Sequence, residues 1–271
     1  DYPPDAQKKT KVGGAINPSL EKIVSLHPDL VLVTSLNRFE TEHALDDLGI
    51  SSYGTDPRTV DEIITSTKKL AGVLGVPEAG AAVAEDMQHR LAALQQRIGT
   101  LPPKRVLFVV WTQPLISVGK GTFIADALRH AGAVSIVDSA QDWPQVNLEE
   151  VARLQPEYLI FADSHSEPAP HELETLATLP AWSILDAVSK RRYAVISDAV
   201  NRPAPRIVLA IEELARQLHP EAFVEKPADA KEKIEKENPM PQRPSFLHFE
   251  RMPSAGPLGR SQTTGASACD R

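Results

Sequence analysis

Two stretches of the chain carry the same order of apolar and polar positions. Leu20, Ile23 and Leu26 recur at i, i+3 and i+6, which puts them on one face of a helix. His27-Pro28-Asp29 interrupts that pattern, and Leu30-Val31-Leu32-Val33 follows as an unbroken apolar run. The same order returns 128 residues later, from Leu148-Glu149-Glu150-Val151 through Leu154-Gln155-Pro156-Glu157 into Tyr158-Leu159-Ile160-Phe161. An asparagine, Asn17 or Asn147, stands just upstream of each copy. Ser19 and Asn147 are good helix N-caps, and Glu150 three residues beyond Asn147 resembles the acidic half of a capping box. Pro28 and Pro156 stop each helix. The apolar runs suit strands buried on both faces of a parallel sheet. Each copy therefore reads as helix, proline turn and buried strand, and the pair predicts two similar α/β lobes.

The remaining pattern fills in both lobes. Residues 1–17 are polar and irregular, so the first lobe reads as lacking the strand and helix that normally open a βα lobe. A helix over 38–48 ended by Gly49, a strand over 50–54 and an amphipathic helix over 59–74 complete the first lobe, residues 1–76. An Ala-rich helix over 77–98, about 30 Å long, either bridges the lobes, as a linker within 77–100, or is one more crossover helix. The second lobe, 101–224, begins with a buried strand from Arg105 to Trp111. A turn-rich loop over 112–121, a helix over 122–131 and a loop over 138–145 lead into the repeat. After the repeat come a polar loop over 163–170, a helix over 171–178 and a short segment over 180–188. The strand Tyr193–Ser197, a loop over 198–205 and a helix over 206–218 close the lobe. From Glu225 to Arg271 charged residues and then prolines dominate, which predicts a disordered tail.

Composition removes several classes of function. A net charge of −7 argues against a nucleic-acid binder. No apolar run approaches the roughly 18 residues of a membrane span. The chain opens on Asp-Tyr-Pro-Pro with no Met or signal peptide, as in a processed chain or a fragment. A single cysteine, Cys269, excludes an intramolecular disulfide.

Several chemical motifs fail on inspection. Gly119-Lys120-Gly121-Thr122 has the end of a phosphate loop, but Pro114 occupies the place of its first glycine. The eight histidines show no zinc spacing, and His165, His171, Glu167 and Glu172 form only a loose polar cluster. Ser35 and Ser164 follow strands without a nucleophile elbow. No catalytic set and no metal site are expected.

The residues do carry a family resemblance. Val12-Gly13-Gly14-Ala15-Ile16-Asn17-Pro18-Ser19-Leu20-Glu21-Lys22-Ile23, with His27 to Val33, resembles the first lobe of the substrate-binding proteins that serve vitamin B12 and siderophore ABC importers. Asp138 to Val151, with its Trp143-Pro144-Gln145-Val146, and Ser197 to Ile207 resemble the vitamin B12 branch of that family. The likeness covers residues 1–219. It implies two Rossmann-like lobes joined by one long rigid helix, with a ligand captured in the cleft between them and handed to a permease. It implies no enzymatic chemistry and no cofactor. The protein would act as a monomer in the periplasm or anchored on the outer face of the cytoplasmic membrane. Its ligand would be cobalamin or a related corrinoid, or alternatively a ferric siderophore or haem.

By the same resemblance Glu21 and Glu149 match the family's permease-docking glutamates; as helix N-terminal acids they also have a sufficient role in complementing the helix dipole. Tyr2, Asp198 and Arg202 match ligand positions, and Trp111 and Gln113, which follow the strand of the second lobe, and Trp143 are further ligand candidates in loops at strand ends. Trp143, flanked by Asp142 and Pro144 in a loop, suits the flat face of a macrocycle better than it suits a core. Trp111 reads equally as core or as site, and Asp198 with Arg202 as an ion pair or as ligand contacts. Thr34-Ser35-Leu36-Asn37 departs from the vitamin B12 branch, which has a Trp there. Two other classes stay open: a small α/β enzyme reusing this architecture, and an interaction module recruiting a partner through the proline-rich tail.

Overall fold

The computed structural model describes residues 3–14, 17–34, 38–163 and 169–224. The tail from 225 onward, Tyr2, the departure at 35–37, and Ser164 and His165 lie outside the described residues.

The first half runs α1 (Leu20–Ser25), β1 (Val31–Thr34), α2 (Arg38–Asp47), β2 (Ser52–Thr55), α3 (Val60–Val73) and α4 (Pro77–Ile98). β1 and β2 pair in parallel, Val31 opposite Ser52 through Thr34 opposite Thr55. Ile23, Val33 and Leu45 form a small core beneath them. Thr59 caps α3, its hydroxyl accepting from the Glu62 amide at 3.1 Å. The 22 residues of α4 span about 33 Å. α4 lies so close to α3 that a Cβ on Gly80 would stand 2.2 Å from that of Ala71.

The second half runs β3 (Lys104–Val109), β4 (Trp111–Thr112), β5 (Leu115–Ile116), α5 (Phe123–His130), β6 (Ala133–Ser135), α6 (Leu148–Leu154) and β7 (Tyr158–Asp163). It continues with α7 (Ala169–Thr178), α8 (Pro180–Ser183), α9 (Asp186–Ser189), β8 (Tyr193–Ser197) and α10 (Ile207–Leu218). Four strands make a parallel sheet in the order β6-β3-β7-β8. One face packs Phe108, Ile160 and Ile196 against α5, α10 and also α3 and α4, through Ile63, Met87 and Leu94. The other face packs Leu107, Leu159 and Phe161 against Val151, Trp182 and Leu185. Alternate residues of β3 and β7 thus enter opposite cores, as a strand covered on both sides requires.

The repeat extends to the backbone. Ser19 and Asn147 cap α1 and α6, accepting from Lys22 N at 3.4 Å and Glu149 N at 2.8 Å. His27 and Gln155 both turn left-handed at φ 47 ahead of their prolines, so a left-handed residue ends each helix before the proline is reached. Two expectations need correction. Glu150 does not close a capping box with Asn147, because Arg153 holds its carboxylate by two hydrogen bonds of 2.9 and 2.6 Å. β1 is not buried on both faces. Leu32 is 52% exposed, because among the described residues β1 pairs only with β2 and its core covers one side. A hydrophobic hollow of 460 Å³ runs along Ile23, Leu26, Pro28 and Leu30–Thr34. In the second copy, β7 sits between β3 and β8, and Leu159 and Ile160 are wholly buried.

Candidate functional site

In an open parallel sheet, loops gather beyond the carboxyl ends of the strands, and ligands bind there. The candidate residues of the second half all fall at that end. Trp111 follows β3, the loop over 138–146 follows β6, and Asp198 follows β8. α6 leaves that loop and returns the chain to the start of parallel β7, so its N-terminus, with Glu149, stands at the same end.

The segment read as a turn-rich loop contains a hairpin. β4 and β5 pair antiparallel, Trp111 opposite Ile116, and Ile116 in turn bridges Gln145. Val146 N donates to Leu115 O at 2.9 Å and Ser117 N to Pro144 O at 3.1 Å. Trp111 and the Trp143 loop therefore share one backbone ladder, the outer members about 10 Å apart. Trp111 is 61% exposed and Trp143 47% exposed, so neither is a core residue. The Trp111 indole donates to Gln113 O at 2.8 Å, which fixes the hairpin tip. Gln113 lines a groove of 710 Å³ that continues along Gln145, Asn147 and Trp182.

Gly119 lets the loop close. Its amide donates to Asp142 O at 3.0 Å, and a Cβ there would stand 1.8 Å from Gln141 O. The glycine that suggested a phosphate loop is thus a packing glycine, and Thr122 caps α5 by accepting from Ala125 N at 3.2 Å. Asp142 is held from the opposite side by Arg58, whose guanidinium donates twice, at 2.9 and 2.5 Å. That fork raises the Arg58 pKa above its ordinary value, the Asp142 hydrogen bond being the largest cause. Nothing in the sequence connects Arg58 to Asp142, 84 positions away; the only local signal is the Asp56-Pro57 turn ahead of the Thr59 cap.

Asp198 and Arg202 come together at the end of β8. The Asp198 carboxylate accepts from Asn201 Nδ2 at 2.9 Å and from Arg202 Nη2 at 3.2 Å. β8 is separated from β3 by β7 alone, so this pair and Trp111 lie along one row of strand ends.

Glu21 and Glu149 occupy equivalent places in the first turns of α1 and α6, and both are exposed. Among the described residues neither carboxylate has a hydrogen bond or ion pair. Neighbouring Glu150 does, and Arg153 lowers its pKa. No group of three or more His, Cys, Asp or Glu among the described residues is arranged to hold a metal ion. No described helix is long and apolar enough to cross a membrane.

Comparison with known proteins agrees with this architecture. A family model described as periplasmic binding protein matches residues 1–199. The vitamin B12-binding protein of Vibrio cholerae serotype O1 is 31% identical over 222 residues, 80% of this chain and 78% of that one. The crystal structure of the periplasmic vitamin B12 binding protein of Vibrio cholerae superposes with a TM-score of 0.70 at 28% identity, covering 83% of this chain and 87% of that one. A periplasmic heme-binding protein in complex with two hemes superposes with a TM-score of 0.72 at 25% identity, covering 82% and 86%. The chain belongs to the periplasmic binding protein family.

Proposed function

We propose that this chain is the substrate-binding component of an ABC importer, capturing cobalamin or a related corrinoid between two α/β lobes and delivering it to a membrane permease outside the cytoplasm. The observation that carries the reading is the exposed Trp143, whose loop joins exposed Trp111 in one backbone ladder at the carboxyl ends of the parallel strands. Two exposed indoles at this end of the sheet suit a flat macrocycle, and Asp198 with Arg202 supplies polar partners for its peripheral amides. By the same resemblance Tyr2 would complete the ligand set. The resemblance to proteins that bind vitamin B12 supports the same ligand.

Electrostatics separates a corrinoid from the second reading, haem or a ferric siderophore, which the heme-binding neighbour keeps in view. Those ligands are commonly anionic and call for uncommitted cations. Arg58 and Arg202 at this site are each held by a carboxylate, Asp142 and Asp198. A neutral, amide-rimmed ligand suits that arrangement.

α4 would brace the lobes, and Glu21 and Glu149, one per lobe, would meet basic residues of a two-fold permease. Charge pairs of that kind set orientation and rate of association more than affinity. The protein would act as a monomer without catalytic chemistry. Titration calorimetry with cyanocobalamin and with haemin tests the ligand; tighter binding of haemin would replace the first reading with the second.

A further inference from the structure

Arg58 is not among the ligand contacts of the reading above, yet it occupies a junction between the two sheets. Its own position is fixed three ways. Its amide donates to Glu62 Oε2 at 2.6 Å, Thr59 caps α3, and the next amide, Val60 N, donates to the buried Asp126 carboxylate at 2.7 Å. It lies three residues beyond Thr55, the last residue of β2, and so within about 11 Å of that strand end. Its guanidinium grips Asp142, the residue before Trp143, with both arms of the fork. On the far side, Asp142 O and Pro144 O accept from Gly119 and Ser117, so Trp143 is clamped between two fixed peptides. Among the described residues no other side-chain hydrogen bond joins 52–58 to 138–146.

We infer that the Arg58–Asp142 pair is a strap that ties the carboxyl end of β2 to the Trp143 loop, which makes Arg58 a positioning residue for ligand capture. The inference rests on the reading of Trp143 as a ligand contact. An Arg–carboxylate fork constrains orientation as well as distance. Here it fixes the distance between the two segments at this point and the backbone from which the indole projects. Arg58 itself acts through Asp142 and need not touch the ligand.

The test is a double-mutant cycle on the full chain, with Arg58→Gln, Asp142→Asn and the two combined. Cyanocobalamin affinity is measured by calorimetry, and acrylamide quenching of Trp143 without ligand. Quenching is read in a Trp111→Phe background, where the remaining Trp182 is buried. Each single change is expected to weaken cyanocobalamin about tenfold and to raise Trp143 quenching, and the double change to do no more than either single. Arg58→Lys, which keeps the charge but not the fork, should fall between. Losses that add, or quenching and affinity that stay at wild-type values, would overturn the strap. If wild-type protein binds no cyanocobalamin while the singles still raise quenching to the level of the double, the strap stands and the corrinoid reading falls.

Discussion

Glu149 and Glu150 are adjacent in the first turn of α6, and Arg153 takes only one of them. Its two hydrogen bonds close on Glu150, while the Glu149 carboxylate stays exposed and unpaired among the described residues. Glu21 stands likewise in the first turn of α1. An acid needed only for its helix would serve equally well with a partner. Glu21→Arg and Glu149→Arg should each cost only about 1 kcal/mol of stability, the share of the helix dipole, and leave ligand affinity near wild type. Uptake by liposomes carrying the cognate permease should fall tenfold or more, as expected when a rim charge is reversed against a complementary surface. Glu150→Ala, whose carboxylate is already occupied, should transport normally. Wild-type uptake by both reversals would remove the docking role.

Gly119 fixes the Trp143 loop through close backbone contact. Gly119→Ala must displace Gln141 O, because the added methyl carbon would lie 1.8 Å from it. A destabilisation of about 1–3 kcal/mol is expected, as for other overpacked sites, together with weaker ligand binding. Gly121→Ala, where a Cβ meets nothing within 4 Å, is the control and should change neither property. Thermal melts and calorimetry on the two variants check this.

Acid should weaken the polar tie between α10 and α4. Arg90 holds Glu212 across these helices by two hydrogen bonds of 2.9 and 2.7 Å, and the first effect of that fork is to lower the Glu212 pKa. A lowered folded-state pKa means stability that is present above the ordinary glutamate value of about 4.3 and lost as pH falls through the folded value. Glu212→Gln should cost about 1 kcal/mol at pH 7, a figure already reduced for the solvent that reaches Arg90. The difference between variant and wild type should vanish in acid. Chemical denaturation of both proteins from pH 7 down to pH 3 measures it.

Legibility in the sequence followed the range of the interaction. Helices and strands with strong periodicity and local caps, such as Pro77–Ile98 and Tyr193–Ser197, have the bounds their patterns predict. The β4–β5 hairpin does not announce itself, because two-residue strands carry no period and Gln113-Pro114 reads only as a turn. The exposure of Leu32 was equally hidden. An apolar run states what a strand prefers, not how many neighbours it has. At the site, Trp143 stands out because an indole in a polar loop is unusual, whereas Trp111, at the end of an apolar run, reads equally as core. Arg58, Asp142 and Gly119 do not stand out, since their roles come from contacts made across the fold.

The central claim is that Trp143 helps this chain to hold a corrinoid, and calorimetric titration of cyanocobalamin into wild-type and Trp143→Ala protein tests it most directly. Wild type should bind one equivalent with a Kd of about 1 μM or below, and Trp143→Ala should bind at least about tenfold more weakly, the loss expected of a buried aromatic anchor. No heat of binding by wild type at high-micromolar ligand, or equal affinity in the two proteins, would contradict it.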